Sequence, residues 1–425
     1  MTARIRATVL ARGQNRRVST QDVIQTLAIV LAAGLLSQAL ADALRLPRMV
    51  VLLGAGILLG PHVFDGVDVP LDSIGVELLL TLGVAFILFH GGLGLSLAVL
   101  SRVGVGLTLL AIPGVIVSAL LTGAAAALVF DVPFEVGFLI GAIIAPTDPA
   151  ILIPLFERLR IRRKVAQTVV AESALNDVTG AILALSLVGF VIEGEGSVTG
   201  PLEEFLVDLG ISTALGIGFG LLLALLISNR RAGIWRESPV VAVLAVIAGG
   251  YFSIETAGGS GYLGAFAAGL LVGNTNVLGL GMRERHEEDL RSFTTVLTEL
   301  LVIFIFVVLG ANLPLDSIPD EALPSLATLA VLIFLARPLT VIGSLALDRR
   351  GGWQREEIAF VAWTKETGVV PAALAGVVIA EGVAYESEVI TVVALAVVVT
   401  LLLQASTKAW MARRLGLAEP DPVED

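Results

Sequence analysis

The chain has no cysteine, which excludes disulfides and thiol chemistry. Histidine is almost as scarce: His62, His90 and His286 stand far apart and share no ligand spacing, so no histidine-built metal centre is expected. Charge is thin too, with 15% charged residues among 425, and Lys164, Lys365 and Lys408 are the only lysines in a set of 27 basic residues. Hydrocarbon fills the chain instead: 56% of residues are hydrophobic, and the mean hydropathy is +0.92, outside the range of soluble domains of this length. Apolar runs of about 20 residues, enough to cross roughly 30 Å of bilayer interior as helix, recur from Thr20 to Met411. Transmembrane barrels read as short alternating segments. The expected fold class is therefore an all-α polytopic membrane protein.

Apolar runs between polar breaks give thirteen spans, starting near residues 20, 48, 73, 102, 135, 165, 205, 238, 260, 293, 324, 356 and 388. Charge tests the count, because lysine and arginine collect in cytoplasmic loops. If the first span runs outside to inside, the cytoplasmic loops hold Arg45 and Arg48; Arg102; Arg158, Arg160, Arg162, Arg163 and Lys164; Arg230, Arg231 and Arg236; Arg283, Arg285 and Arg291; Arg349, Arg350 and Arg355; and last Arg413 and Arg414. The opposite loops, around 61–72, 131–135, 193–204, 255–260, 312–323 and 381–388, carry no lysine or arginine. One missed or invented helix would put every later loop on the wrong side. The reading is a multi-pass protein of the cell (inner) membrane, with its N-terminus outside and its C-terminus cytoplasmic. Residues 1–19 form a tail, 20–411 the transmembrane unit and 412–425 a cytoplasmic tail. The tail's Arg4, Arg6, Arg12, Arg16 and Arg17 alone run against this orientation.

Two spans are interrupted. The fifth reads Gly141-Ala-Ile-Ile-Ala-Pro-Thr-Asp-Pro-Ala150, with Pro146 and Pro149 bracketing Thr147 and Asp148. The twelfth reads Trp363-Thr-Lys-Glu-Thr-Gly-Val-Val-Pro371. Proline removes a backbone donor and clashes with the preceding turn, so both helices are expected to break near the bilayer midplane. They lie seven spans apart, an odd offset, and so point in opposite directions. Six helices, a linker helix and six inverted helices account for all thirteen, the pattern of secondary transporters built on inverted repeats with discontinuous crossing helices.

Ionisable groups in hydrocarbon are costly and mark a pathway or a pairing partner. Those expected in the apolar centres are Asp148, Glu172, Asp177, Arg337, Lys365 and Glu366, with Glu77 and Glu299 nearer the ends of their spans. In the sixth span, Ser173, Asn176 and Asp177 share a helical face and Glu172 borders it. A carboxylate, an amide and a hydroxyl together suit a small hard cation such as sodium. Asp148 would project from the broken fifth helix opposite, and the freed carbonyl near Thr147 could complete the coordination. Desolvation favours the protonated form of a buried carboxylate and a bound cation the ionised form, so proton and cation exclude one another at the same oxygens. Arg337 needs a buried anion: Glu172 is the candidate, with Glu299 or broken-helix carbonyls as alternatives. Lys365 and Glu366 are expected to neutralise each other, acting with Thr367 as modulators at most.

Thr147-Asp-Pro149, followed by Glu172-Ser-x-x-Asn-Asp177 and an arginine in a later span, resembles the NhaP-like sodium/proton antiporters of the monovalent cation:proton antiporter-1 family over nearly the whole hydrophobic chain. The resemblance implies a homodimer in which a six-helix core domain, here the spans near 102–193 and 324–411, moves in an elevator-like fashion against a dimerisation domain formed by the others. It also implies exchange of Na+ or Li+ for H+, serving pH homeostasis and sodium transport, with no enzymatic activity and no cofactor beyond the transported ions. Asp148, Ser173 and Asp177, with backbone help at Thr147, would bind the transported Na+, and Glu172 with Arg337 would form a structural ion pair. The Asn176-Asp177 pair is similar to the electroneutral branch. Relatives commonly show an arginine before the twelfth-span glycine, where this chain has Thr367 before Gly368. A K+/H+ antiporter of the same fold is the alternative; an intramembrane aspartyl protease lacks its Gly-x-Gly-Asp pattern here, and nothing in the sequence suggests a nucleic-acid partner.

Overall fold

A computed structural model describes residues 20–418, apart from 45, 65, 68–72, 149–155, 157–160, 194–198, 231–232 and 278. The arginine-bearing tail at 1–19, Arg45, Pro149, Arg158, Arg160 and Arg231, and the tail beyond 418 lie outside these residues. Among the described residues the chain is helical throughout, with only an isolated bridge between Ile161 and Ala418. Among the described residues nine helices are long and apolar enough to cross a membrane. Four shorter apolar helices, Arg48–Leu59, Phe134–Ile144, Gly261–Gly273 and Val369–Ala380, fall where the second, fifth, ninth and twelfth spans are expected. Together they supply the thirteen spans in order. Leu36, Ile74, Leu128 and Phe252 are 70–83% exposed on their outer surfaces, a disposition suited to lipid rather than water.

The short helices are short for a chemical reason. The fifth span runs from Phe134 to Ile144 and stops before Pro146, which has no N–H to continue the ladder. The twelfth consists of Arg355–Trp363, an irregular stretch over Thr364–Gly368, and Val369–Ala380. Here the structure refines the expectation. Pro371 does not break the helix; it sits in the first turn of the second half, where a missing N–H leaves no bond unmade. The break falls on the polar residues before it. The fourth span bends at Ile112-Pro113, between Leu97–Ala111 and Pro113–Phe130.

Two further helices carry wide turns. The eleventh passes from Ile318–Val331 through a π-helical turn at Leu332–Ala336 into Arg337–Leu347. The thirteenth passes from Glu386–Thr400 through Leu401–Ala405 into Ser406–Arg414. The amide of Arg337 bonds the Leu332 carbonyl, five residues back, so the inserted residue rephases the helix just before Pro338.

The fourth, fifth, sixth, eleventh and thirteenth spans pack on one another around the broken pair, while the third packs on the ninth, the seventh on the ninth, and the second on the first and tenth. The sixth span, Arg163–Glu193, lies hard against the break in the fifth. A Cβ built at Gly180 would stand 2.1 Å from Cγ of Pro146. Gly180→Val is therefore expected to push the two spans apart and to destabilise the protein by about 1–3 kcal/mol, the usual cost of overpacking. Thermal unfolding in detergent would show this, and an unchanged midpoint would contradict the packing.

Candidate functional site

The two breaks meet and complete each other's hydrogen bonding. The amide of Asp148 donates to the carbonyl of Glu366 over 2.9 Å. One carboxylate oxygen of Asp148 accepts from the amide of Val369 at 2.8 Å, capping the first turn of Val369–Ala380 with a negative charge where the helix dipole favours one. The approach is close enough that a Cβ at Gly368 would fall 1.8 Å from Oδ2 of Asp148, so only glycine fits there. At the opposite end, Lys365 Nζ donates to the carbonyl of Ile144 at 2.9 Å and to that of Pro146. Its ammonium thus occupies the carbonyl end of Phe134–Ile144, where the dipole favours a cation.

The sixth span supplies the facing wall. Asn176 Nδ2 donates to Thr147 Oγ1 at 2.7 Å and to Glu172 Oε1 at 2.8 Å, while its oxygen accepts from the amide of Thr147 at 3.1 Å. Ser173 Oγ donates to the Thr147 carbonyl. Every polar group of Thr147 is therefore bound by the sixth span, and the amide of Asn176 is occupied in holding the break. Asp177 is 7% exposed, Asp148 5%, and Thr147, Glu172, Ser173 and Asn176 at most 1%. Oδ1 of Asp177 is buried and has no hydrogen-bond partner among the described residues. Asp148, Lys365 and Glu172 all lie close enough to Asp177 to act on its charge.

Arg337 reaches Glu172 with two parallel bonds, 2.7 Å to Oε1 and 2.9 Å to Oε2, and touches the Val361 carbonyl at 3.3 Å. Glu299 is exposed and takes no part. Glu172 and the helix-end carbonyl, two alternatives in the sequence, are thus both in use.

Lys365 and Glu366 do not neutralise each other. The backbone at the break sends Lys365 to the fifth-span carbonyls and Glu366 to Lys408, with which it forms a fully buried ion pair. Lys408 is absent from the ionisable groups expected in the apolar centres. It lies near the end of the thirteenth span, yet it is 0% exposed. The available signal was the spacing Thr400, Gln404, Lys408, three polar residues four apart in an apolar helix.

Two discontinuous helices crossing at their breaks, with buried carboxylates at the crossing, define a secondary-transporter architecture. The family profile "Sodium/hydrogen exchanger, transmembrane" matches residues 27–414, and the chain belongs to that family. It is similar to the K(+)/H(+) antiporter NhaP2 of Shewanella sp. (strain ANA-3), 30% identical over 396 residues covering 91% of this chain and 66% of that one. It is also similar to the Na(+)/H(+) antiporter 1 of Methanocaldococcus jannaschii, 31% identical over 82% of this chain and 81% of that one. The solved structure of the sodium proton antiporter MjNhaP1 from the same archaeon at pH 8 matches with a TM-score of 0.79 at 27% identity, covering 93% of this chain and 99% of that one. The chain spans just under two thirds of the length of the NhaP2 relative.

The bidentate pair yields a stability test. Glu172→Gln or Arg337→Leu alone would strand a buried charge and is expected to cost about 3–5 kcal/mol, whereas Glu172→Leu combined with Arg337→Met should cost less than either. Unfolding midpoints of the three variants decide it; a double variant less stable than both singles would contradict the tie.

Proposed function

We propose that the chain is a secondary antiporter that exchanges sodium or lithium for protons across the cell (inner) membrane, cation and proton competing for Asp177 with Asp148 beside it. The observation that carries this reading is the Asp177 carboxylate, buried at the crossing with Oδ1 unbonded while its neighbours are bound to one another. The Thr147 carbonyl and Ser173 hydroxyl, already in contact, are the hard oxygens a cation would join, and Asn176 holds Thr147 in place. A proton on Asp177 removes the charge that attracts the cation, and a bound cation removes the site for the proton.

Charge supports an electroneutral cycle. Glu172 with Arg337 and Glu366 with Lys408 cancel in pairs. Asp148, Asp177 and Lys365 then leave one net negative charge, which a monovalent cation and a proton neutralise equally. The spans packed around the crossing, near 102–193 and 324–411, are the mobile core in this reading. The remaining spans are the static part and the surface through which two copies join as a homodimer, giving elevator-type alternating access. The N-terminus lies outside and the C-terminus in the cytoplasm in this reading, which the arginine distribution of the loops supports.

In proteoliposomes, an imposed sodium gradient is expected to drive proton movement that falls to background in Asp177→Asn. An unchanged rate in that variant would remove the mechanism. Because the site must lose a proton to take a cation and regain it afterwards, the wild-type rate is expected to pass through a maximum as symmetrical pH is varied; a flat profile over several pH units would mean separate routes. Potassium is the second reading, favoured by the name of the NhaP2 relative. Gradients of sodium, lithium and potassium chloride compared in the same vesicles separate the two.

A further inference from the structure

The irregular segment between the halves of the twelfth span is anchored from behind. Trp363 Nε1 donates to Thr407 Oγ1 at 2.9 Å, the amide of Thr367 donates to Thr400 Oγ1 at 2.9 Å, and Glu366 pairs with Lys408. All three anchors sit on the thirteenth span, at positions flanking its wide turn Leu401–Ala405. From the other side of the same segment, the carbonyl of Glu366 accepts the amide of Asp148 and the amide of Val369 donates to the Asp148 carboxylate. Two of the bonds that aim Asp148 thus come from a backbone whose own position is set by the thirteenth span. Only one of the three anchors is ionic, and it is fully buried at both partners, so removing either partner would leave an unpaired charge in the interior.

We propose that Glu366 and Lys408 form a positioning pair for the cation site: by pinning the 364–368 segment to the thirteenth span, they hold Asp148 against Asp177 at the spacing that cation binding requires. Neither side chain touches the transported ion. Loss of the pair lets the segment drift and weakens cation binding, while the carboxylates remain able to take up protons. The proposal rests on the exchange function assigned to Asp177 and Asp148.

The test uses the full-length protein in proteoliposomes, with initial rates of sodium-driven proton movement measured against sodium concentration. Lys408→Met and Glu366→Leu each leave an uncompensated buried charge that destabilises the fold, so the deciding variant is the double Glu366→Leu/Lys408→Met, which leaves none. Its apparent KM for sodium is expected to rise about 10- to 100-fold, the usual effect of losing a support behind a metal ligand, with the maximal rate per folded protein changed much less. Lys408→Arg, which keeps the charge, should stay within a few-fold of wild type. A double variant with wild-type KM, or with a reduced maximal rate and unchanged KM, overturns the proposal and leaves the pair a fold-stabilising contact. Asp177→Asn in the same assay separates the two levels: if it retains exchange, the functional reading itself fails; if it loses exchange while the double variant keeps its KM, only the positioning role is lost.

Discussion

A helix that stops inside a bilayer leaves backbone groups with no water to receive them, and the organisation of this protein follows from how that demand is met. The break in the fifth span exposes the carbonyls of Ile144 and Pro146, and Lys365 takes both. The start of Val369–Ala380 exposes an amide, and Asp148 takes it. Each break is therefore satisfied by a charged side chain from the other, which obliges the two spans to cross at these residues. The same arrangement brings two carboxylates and an ammonium together at the crossing, where charge is expensive and has to be balanced.

The surrounding residues divide into those that hold and those that remain available. Glu172 is bound by both Arg337 and Asn176, and Asn176 in turn holds Thr147. Asp177, four residues after Ser173 on the same helix, is buried with an oxygen unbonded. In the interior of a membrane protein such an atom is a liability unless something visits it. In the proposed reading a small cation or a proton is the visitor, and the family to which the chain belongs is that of the sodium/hydrogen exchangers.

Much of this was legible in the sequence because it is local. Pro146-Thr147-Asp148 announces a helix break with a carboxylate in it, and the spacing of Glu172, Ser173, Asn176 and Asp177 fixes which side chains share a face. The thirteen spans were readable because lysine and arginine fill every second loop and are missing from the loops between. Contacts between distant segments were not readable. Lys365 and Glu366 are adjacent in the chain, so mutual neutralisation was the economical reading, but the non-helical backbone at the break sends them to different partners. Lys408 was not among the ionisable groups expected in the apolar centres; only the three-dimensional packing shows that its ammonium is wholly buried against Glu366. Pro371 looked like the residue that breaks the twelfth span, and its true place in the first turn follows from polar residues upstream giving up their helix first.

The account stands on mutual exclusion of cation and proton at Asp177, and binding measured directly tests it without any transport step. Purified protein in weakly buffered detergent solution, titrated with sodium chloride at a pH where the site is protonated, is expected to release about one proton per sodium bound, since ligand oxygens must shed their protons to bind a metal ion. Sodium binding without proton release would contradict the claim at its root.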